Sequence, residues 1–596
     1  MEDWLYYLLF FTFSLSLHLL LRSLLRPITG KLTAAARLPP GSSALSVIIG
    51  PLFLGRSNFA FKPIIGAARS WYGPVFTLYP LPSRPAIIVA DRAVAHHALV
   101  QCGTAFADRP PANLAARIFS SDQRNITSGA YGRLWSVLRR NLTGKILHPS
   151  CGLADGVVES VMAVQREFST SALGFQVLGV CPAVTKLVFR RRWRQILSLR
   201  RRQEELYLPL IRACAAAGAR RDVAGEGVAV SYVDSLLALR IPEDGIRNLT
   251  EGEMVSLCSE FFVAGTESTA AVAQWIMANL VARPEIQAKL REEIRAVAGD
   301  DGVGAGSVQE DHLPRMPHLR AVVLEALRLH PPGHFVLPHE AVTAATEEDD
   351  AAAFIDGFQV PRHTTVNFTV SDMGRDKTTW PDAARFLPEW FLPGGEGADV
   401  DLTGGREIKM IPFGTGRRAF PGVALALLHL ESLVANLVAE FEWREVAGEA
   451  VDLAEKQEIS VVMRRPVRAT VVPCRRNMHG ERNGIGGNGR NGFWGFQLNV
   501  TASIDFKIHA TCDSLSHLGS AVAPYGTVEA ASFGGPSGRV RDGDTASARR
   551  PKPSTLPMEG WLGLSCFEWP ARMGAAVRGG AATAGKMERL DAVVRR

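Results

Sequence analysis

The stretch IPFGTGRRAFPGVALALLHLE (residues 411–431) joins a glycine-rich loop to a long apolar helix. The residues that stand at fixed intervals before the helix are Phe413, Gly414, Gly416, Arg418 and Gly422. Glycine permits tight turns with positive φ, and arginine pairs with carboxylates. The N-terminus of the following helix would stabilise an anionic ligand at position 420, where this chain has phenylalanine. The pattern is typical of a loop that holds a planar, charged cofactor.

The composition excludes several classes of protein. Of the 596 residues, 47% are hydrophobic and 21% charged, an ordinary globular balance. Residues 476–596 carry 15 Lys/Arg and 10 Asp/Glu, so this tail supplies most of the net charge of +7. The rest of the chain is nearly neutral, which argues against nucleic-acid binding. The eight cysteines include no C-x-x-C pair, which argues against a disulfide framework or a zinc site.

The N-terminus contains WLYYLLFFTFSLSLHLLL (4–21), 18 residues without a formal charge and long enough to span a bilayer. Basic residues follow it at positions 22, 26, 31 and 37, which predicts that the body stays in the cytosol. A cleaved signal peptide is the alternative. We expect a transmembrane anchor at 1–25 and, at 26–43, a basic hinge that ends in the proline-containing connector LPPGSS.

The body, residues 44–475, is predicted to be mainly α with small β-sheets. PVFTLYPLPSRPAIIVAD (74–91) reads as two strands around a turn, and helical patterns dominate from 92 to about 340. Residues 423–443 predict a long central helix, and 459–473 predict closing strands. The tail, 476–596, has 19 Gly in 121 positions and low-complexity runs, so it is predicted to be disordered.

FFVAGTESTAAVAQW (261–275) is the second informative stretch. Ala264 and Gly265 make the helix thin, so that a flat group can approach its backbone. Beside them stand Glu267, Ser268 and Thr269, and an acid next to an alcohol can relay protons to a bound small molecule. The alternative is an ordinary packed helix whose hydroxyls bond back to the preceding turn.

LEALRLHPPGHFVLPHE (324–340) is the third stretch. Glu325 and Arg328 are three residues apart and share one face of a helix that ends at Pro331 and Pro332. Taken in isolation, the two residues favour an exposed ion pair, which contributes about 0.3–0.5 kcal/mol.

In this order and spacing, the three stretches resemble the cytochrome P-450 family of haem-thiolate monooxygenases. WSVLR (135–139) looks like the family's W-x-x-x-R, and MGRDKTTWPDAARFLPEWF (373–391) looks like the segment before its haem loop. Plant microsomal members of the 89A-type branch have segments similar to SEFFVAGTESTA, HPPGHFVLPH and DMGRD. The resemblance covers about residues 1–474 and leaves the tail unexplained.

The resemblance implies a membrane-anchored enzyme of the endoplasmic reticulum that inserts an oxygen atom from O₂ into a small apolar molecule. It implies a haem cofactor and electrons from an NADPH-dependent reductase partner. Trp135, Arg139 and Arg418 would hold haem propionates, and Glu267 and Ser268 would deliver protons. Glu325 and Arg328 would brace the core.

Three departures from the family pattern bear on activity. Phe420 occupies the place of the cysteine in F-x-x-G-x-R-x-C-x-G, so the thiolate that binds iron is missing. Trp390 replaces an arginine that the family uses to complete a buried network with the residues at 325 and 328. Arg139 and Ala264 are only 125 positions apart, which indicates a shortened middle at about 150–190. These departures predict impaired activity, and the alternative is a non-catalytic or degenerate membrane protein of the same lineage.

Overall fold

A computed structural model of the chain describes residues 38–41, 61–81, 84–143, 155–179, 182–224, 231–242, 245–299, 308–342, 353–474, 495–500, 506–511 and 559–562. The predicted anchor at 1–25 and most of the predicted hinge lie outside these residues. The described body is mainly helical with small sheets, as the sequence predicts.

The α-helices of the described body lie between residues 61 and 440. In chain order they are α1 (Phe61–Tyr72), α2 (Arg92–His96), α3 (Leu114–Phe119), α4 (Arg133–Thr143), α5 (Asp155–Phe175), α6 (Pro182–Val188), α7 (Arg190–Ala224), α8 (Tyr232–Ala238), α9 (Glu251–Ala282), α10 (Pro284–Ala298), α11 (Pro317–Leu329), α12 (Val370–Met373) and α13 (Val423–Glu440).

The strands are short. They are β1 (Val75–Leu81), β2 (Arg84–Val89), β3 (Arg240–Pro242), β4 (Ile246–Asn248), β5 (His339–Glu340), β6 (Ala353–Ile355), β7 (Phe358–Val360), β8 (Thr365–Phe368), β9 (Phe441–Glu445), β10 (Glu455–Gln457), β11 (Val461–Met463), β12 (Ala469–Pro473), β13 (Gly495–Val500), β14 (Phe506–Thr511) and β15 (Glu559–Leu562).

The largest sheet of the body has the strand order β1-β2-β8-β5. β1 and β2 form the antiparallel hairpin that the sequence predicts at 74–91. β8 then pairs parallel to β2 and antiparallel to β5. Thr77 on the edge strand donates its backbone N–H to the carbonyl of Pro40 at 2.9 Å, which ties the end of the proline-containing connector to this sheet.

Helix α9 is the central element of the body. Thr250 caps its N-terminus in a capping box with Glu253, in which each side chain accepts the other's backbone N–H. Pro284 begins α10 directly afterwards, because proline is tolerated at the first position of a helix but not in its interior. The 32 residues of α9 give it a length of about 48 Å at 1.5 Å per residue.

The largest hydrophobic core lies where α9, α10, α11 and α13 pack together with β9, β11 and β12. Trp275 on α9 and Trp443 on β9 are almost completely buried there. Both indole N–H groups are satisfied, by the carbonyls of Val461 and Leu437 respectively. This packing fixes the position of α13 and therefore of the loop that precedes it.

The predicted helix at 423–443 ends at Glu440, because residues 441–443 already belong to β9, which pairs with β12. Within the tail, β13, β14 and β15 pair in an antiparallel sheet. The disorder expected of the tail stays a prediction. The remaining tail lies outside the described residues.

Candidate functional site

The glycine-rich loop before α13 is a compact turn. Gly414 and Gly416 have φ values of 67° and 68°, a region that L-residues with side chains rarely adopt. The backbone N–H of Phe420 donates to the carbonyl of Phe413 at 2.9 Å and closes the loop. Residues Gly416–Arg418 form a single 3₁₀ turn, and Gly422 precedes the first turn of α13. The loop therefore folds as the glycine pattern predicts.

Phe420 lies at the exit of the loop with its ring against that of Phe413. The two ring centroids are 6.2 Å apart and the planes are 21° from parallel. Phe420 is only partly buried, so its ring borders open space as well as the loop. A phenyl ring carries no lone pair, and it cannot coordinate a metal ion.

Arg139 on α4 reaches this loop. Its guanidinium donates to the carbonyl of Ala419, the residue immediately before Phe420. Among the described residues it forms no ion pair with a carboxylate. Burial lowers the pKa of Arg139 to about 10, and no acidic group opposes that effect. Arg139 therefore brings an uncompensated positive charge to the loop.

Arg418 lies within the loop and is held by backbone carbonyls. It donates to Ala107 and Gly129, each at 2.7 Å, and to Ile126 at 3.3 Å. Its guanidinium carbon lies 4.4 Å from the ring centroid of Trp135, whose indole N–H donates to the same Ile126 carbonyl. Burial lowers the pKa of Arg418 to about 10.

The sequence analysis missed Arg109, which completes this cationic group. Its guanidinium donates to the carbonyls of Thr127, Leu337 and Pro338 at 2.8–3.0 Å. Burial, followed by the charge of Arg418, lowers the pKa of Arg109 to about 9. The signal in the sequence was weak, because FADRP (106–110) reads as an ordinary turn.

Helix α9 is mostly buried before and after residues 260–266, which form a partly exposed window in its middle. Gly265 is the most exposed position of this window, and a Cβ placed on it would meet no heavy atom within 4 Å. Ala264 beside it is partly exposed. At Gly265 the helix therefore presents bare backbone to open space, which is one of the two positions where the sequence predicts the approach of a flat group.

The hydroxyls of α9 are bonded within the helix. Ser268 donates to the carbonyl of Ala264 at 2.7 Å, and Thr269 donates to that of Gly265 at 2.8 Å. This is the ordinary bonding of helical serine and threonine to the preceding turn. Within the described residues no hydrogen bond connects these side chains, or that of Glu267, to the loop at 411–422.

Glu267 is buried, with 6% of its surface exposed. Burial raises the pKa of its carboxyl to about 7, the negative charge of Glu458 adds to the rise, and Arg166 and the nearby Ser169 hydroxyl oppose it. A carboxyl with this pKa exchanges a proton near neutral pH, as a proton donor requires.

Glu260, two helical turns before Glu267, is a second acid that the sequence analysis missed. Its carboxylate accepts the backbone N–H of Ile126 at 3.1 Å and the hydroxyl of Thr127 at 2.5 Å. It therefore ties α9 to the segment whose carbonyls hold Trp135, Arg109 and Arg418. Burial raises its pKa to about 7. The spacing of seven from Glu267, which places both acids on one helix face, was the available signal.

Glu325 and Arg328 are completely buried in the structure, so the exposed ion pair predicted from the two residues in isolation is wrong. Arg328 donates to both carboxylate oxygens of Glu325, at 2.6 and 2.8 Å. The remaining guanidinium donors reach the carbonyls of Gly374, Ala383 and Arg385. No charge is left unpaired by Trp390, which corrects the expectation that this replacement opens the network.

In the described part of the chain, no group of three or more His, Cys, Asp or Glu side chains could hold a metal ion. The described cysteines, Cys102, Cys214, Cys258 and Cys474, all lie outside the loop. Burial lowers the pKa of the His429 imidazole on α13.

Sequence comparisons agree with the resemblance on which the site residues were chosen. The family model described as Cytochrome P450 matches residues 39–173 and 155–471. The chain is 40% identical over 498 residues to cytochrome P450 89A9 of Arabidopsis thaliana, a match that covers 74% of this chain and 94% of the relative. It is 29% identical over 496 residues to tryptamine 5-hydroxylase of Oryza sativa subsp. japonica, covering 73% and 90%.

Solved structures show the same fold. A zebra fish cytochrome P450 with abiraterone matches 70% of this chain and 100% of its own, with a TM-score of 0.52 and 20% sequence identity. A zebra fish cytochrome P450 structure with progesterone matches the same shares at a TM-score of 0.51 and 19% identity.

Proposed function

Because the chain belongs to the cytochrome P450 family, we propose that it is a haem-monooxygenase scaffold in which Phe420 has removed the iron ligand and impaired oxygen chemistry. The family consists of haem enzymes whose iron is held by a cysteine thiolate, and the thiolate's electron density favours cleavage of the O–O bond. The observation that carries the proposal is the aromatic ring of Phe420, stacked on Phe413 at the exit of the loop.

The residues fit the periphery of a haem but not its iron. Arg139 and Arg418, with Trp135 beneath Arg418, supply buried positive charge of the kind that pairs with propionates. Gly265 leaves open space beside α9 for the ring. Phe420 offers the iron nothing, and its ring is bulkier than a thiolate, so no oxygen-activating step follows from these side chains.

The acid and alcohols of α9 retain the chemistry of the family pattern. Glu267 would deliver protons from a carboxyl whose pKa is about 7. Ser268 and Thr269 would relay them after exchanging their present intrahelical acceptors, Ala264 and Gly265, for a bound molecule. Glu325 and Arg328 brace the core and take no part in the chemistry.

Location, partners and substrate follow from the lineage. We propose a single-pass anchor at 1–25 in the membrane of the endoplasmic reticulum, with the body in the cytosol. The body would offer a surface to an NADPH-dependent reductase. The substrate of an active form would be a small apolar molecule. Within the described residues, one helix, α13, is long and apolar enough to cross a membrane, and it packs in the core. The two overlapping family matches support a shortened middle at about 150–190.

The spectrum of the reduced protein with CO tests this proposal. The full chain, purified in detergent and supplied with haem, is expected to lack the absorption band of a thiolate-ligated iron. Phe420→Cys is expected to bring back part of that band, because the backbone of the loop is intact. A full thiolate band from the unmodified chain would overturn the proposal and favour an active monooxygenase.

The runner-up is a non-catalytic member that has lost the pocket altogether. The open space beside Gly265 and the buried arginines favour a retained pocket. The reduced-CO spectrum of Phe420→Cys distinguishes the two possibilities, because a chain without a pocket would gain no thiolate band from that substitution.

A further inference from the structure

We infer that Cys102 is a nucleophilic thiol that forms mixed disulfides with small disulfide molecules, with His97 as its base and Gln101 positioning the imidazole. The three side chains contact one another on a short turn that follows α2, outside the loop at 411–422. The site uses neither the buried arginines nor Phe420. Its test is therefore independent of the proposed function.

A π-helical turn brings the thiol and the imidazole together. Residues His97–Gln101 continue α2 as this wider turn, and the backbone N–H of Cys102 donates to the carbonyl of His97 at 2.8 Å. Residues five apart lie about 140° from each other around an α-helix, so their side chains do not meet there. In the π-helical turn they do, and the Sγ of Cys102 lies 3.6 Å from Nε2 of His97. Single turns of this kind are frequent at functional sites.

Gln101 fixes the orientation of the imidazole. Nδ1 of His97 lies 2.7 Å from Oε1 of Gln101. Because a carbonyl oxygen only accepts hydrogen bonds, Nδ1 carries the proton and Nε2 presents its lone pair to the thiol. A nucleophile, a base and a third group that orients the base are thus in mutual contact, which is the arrangement that activates a cysteine.

The turn presents these side chains to solvent. Ala98 and Leu99 are buried on its inner side, whereas His97 and Gln101 are exposed. Cys102 is partly exposed and packs partly against the hydrophobic core of the largest sheet. A small molecule that approaches from solvent therefore meets the thiol and its base together.

The reaction is thiol–disulfide exchange. Nε2 of His97 accepts the thiol proton as the Sγ of Cys102 attacks one sulfur of the small disulfide. A new S–S bond joins Cys102 to that sulfur, and the original S–S bond breaks. The other half leaves as a thiolate and takes the proton from the imidazolium of His97. Cys102 is oxidised and the leaving half is reduced, so the step needs no further oxidant.

Mass-spectrometric mapping of the cysteines tests the inference in the full, detergent-solubilised chain treated with glutathione disulfide. Cys102 is expected to form the mixed disulfide faster than Cys474. Cys474 is also partly exposed, but burial raises the pKa of its thiol, and no hydrogen bond reaches its sulfur within the described residues. Its rate therefore reports, in the same molecule, whether the fold has opened.

Removal of the base is the decisive variant. His97→Phe is expected to slow the reaction of Cys102 by about tenfold, because a cysteine without a base is only a few per cent thiolate at neutral pH. His96→Phe is the matched control. Nε2 of His96 contacts the carbonyl oxygen of Gly405 at 3.2 Å, and its loss should keep the rate at Cys102 within about twofold.

The positioning role of Gln101 is tested by a pair of substitutions at this exposed site. Gln101→Leu removes the acceptor of the Nδ1 proton and is expected to slow Cys102 by at least about threefold. Gln101→Glu keeps an acceptor there and is expected to retain the rate of the unmodified chain. A side chain that only packed against the turn would not make the rate depend on the acceptor.

Two results would overturn the inference. One is an unchanged rate at Cys102 in His97→Phe, and the other is equal rates at Cys102 and Cys474 in the unmodified chain. Faster reaction of Cys474 in His97→Phe would show that this variant had opened. The two Gln101 variants then decide, and equal rates in them would also overturn the inference.

Discussion

Arg328 and Glu325 lie one helical turn apart on α11 with both side chains at 0% exposure, joined by two hydrogen bonds of 2.6 and 2.8 Å. Leu387 adds its backbone N–H to the carboxylate at 2.7 Å. The guanidinium also lies 5.2 Å from the ring centroid of Trp380. The pair is therefore satisfied by backbone and aromatic groups, and it connects α11 to the segment that leads to the loop.

Removing one member of this pair is expected to destabilise the fold strongly. Arg328→Leu leaves the Glu325 carboxylate buried without its counter-charge, which costs about 3–5 kcal/mol of unfolding free energy. Urea denaturation followed by tryptophan fluorescence measures the loss. The matched control is Arg468→Leu, which removes the exposed pair with Glu449 at 2.8 Å and is expected to cost less than about 1 kcal/mol. Equal losses in the two variants would contradict this account.

Replacing Trp390 by phenylalanine is expected to leave the stability of the fold unchanged or to raise it. Its indole N–H is buried and has no hydrogen-bond partner among the described residues. Trp390→Phe removes that donor while keeping an aromatic ring against Trp380, whose centroid is 6.0 Å away. Because an unsatisfied buried donor costs about 1–3 kcal/mol, the variant is expected to unfold at equal or higher urea concentration.

The neighbouring tryptophan provides the control for that prediction. The Trp380 indole donates to the carbonyl of Lys409 at 3.3 Å, and its side chain is completely buried. Trp380→Phe therefore loses a hydrogen bond and leaves a cavity, and it is expected to lower the unfolding free energy by about 1–3 kcal/mol. If Trp390→Phe were the more damaging of the two, the conclusion that the Trp390 indole N–H lacks a hydrogen-bond partner among the described residues would be wrong.

The sequence predicted which segments form the site, but not which hydrogen bonds hold their side chains. The glycine spacing of 411–422 predicted a turn that the structure shows closed by Phe420 and Phe413. It did not reveal that Arg418 is held by backbone carbonyls, because those carbonyls belong to residues 107–129, about 300 positions earlier. Likewise, the burial of Glu325 and Arg328 depends on the packing of segment 374–387, which local spacing cannot show.

Glu260 is expected to make stability depend on pH. Its pKa is about 7 in the folded protein, against about 4.3 in an unfolded chain. The folded state holds a proton that the unfolded state has released, so the unfolding free energy falls as pH rises from about 4.5 to about 7. Glu260→Gln should flatten part of this decline in urea denaturations at pH 5, 6 and 7. Glu267, whose pKa is also about 7, contributes to the decline in the same direction.

The control for the pH experiment is Glu251→Gln at the exposed start of α9. Arg212 donates a hydrogen bond to Glu251 and lowers its pKa, which is a shift in the opposite direction. This variant should leave the decline between pH 5 and pH 7 unchanged. An unaltered decline in Glu260→Gln would show that the carboxylate at 260 is ionised throughout and that its bonds to Ile126 and Thr127 are those of an anion.

The two glycines of the loop are expected to respond differently to the same substitution. Both have φ near +67°, so alanine at either position costs about 1–2 kcal/mol in backbone strain. At Gly414 the nearest atom to an added Cβ is a side-chain carbon of Val336 at 3.8 Å, an ordinary contact. At Gly416 the Cβ would lie 2.1 Å from the carbonyl oxygen of Leu99, so the loop must move away from the π-helical turn His97–Gln101. Gly414→Ala should therefore lower the unfolding free energy modestly, whereas Gly416→Ala should displace Arg418 and lower it further, as measured by urea denaturation of the full chain. Equal losses in the two variants would show that the contact with Leu99 does not constrain the loop.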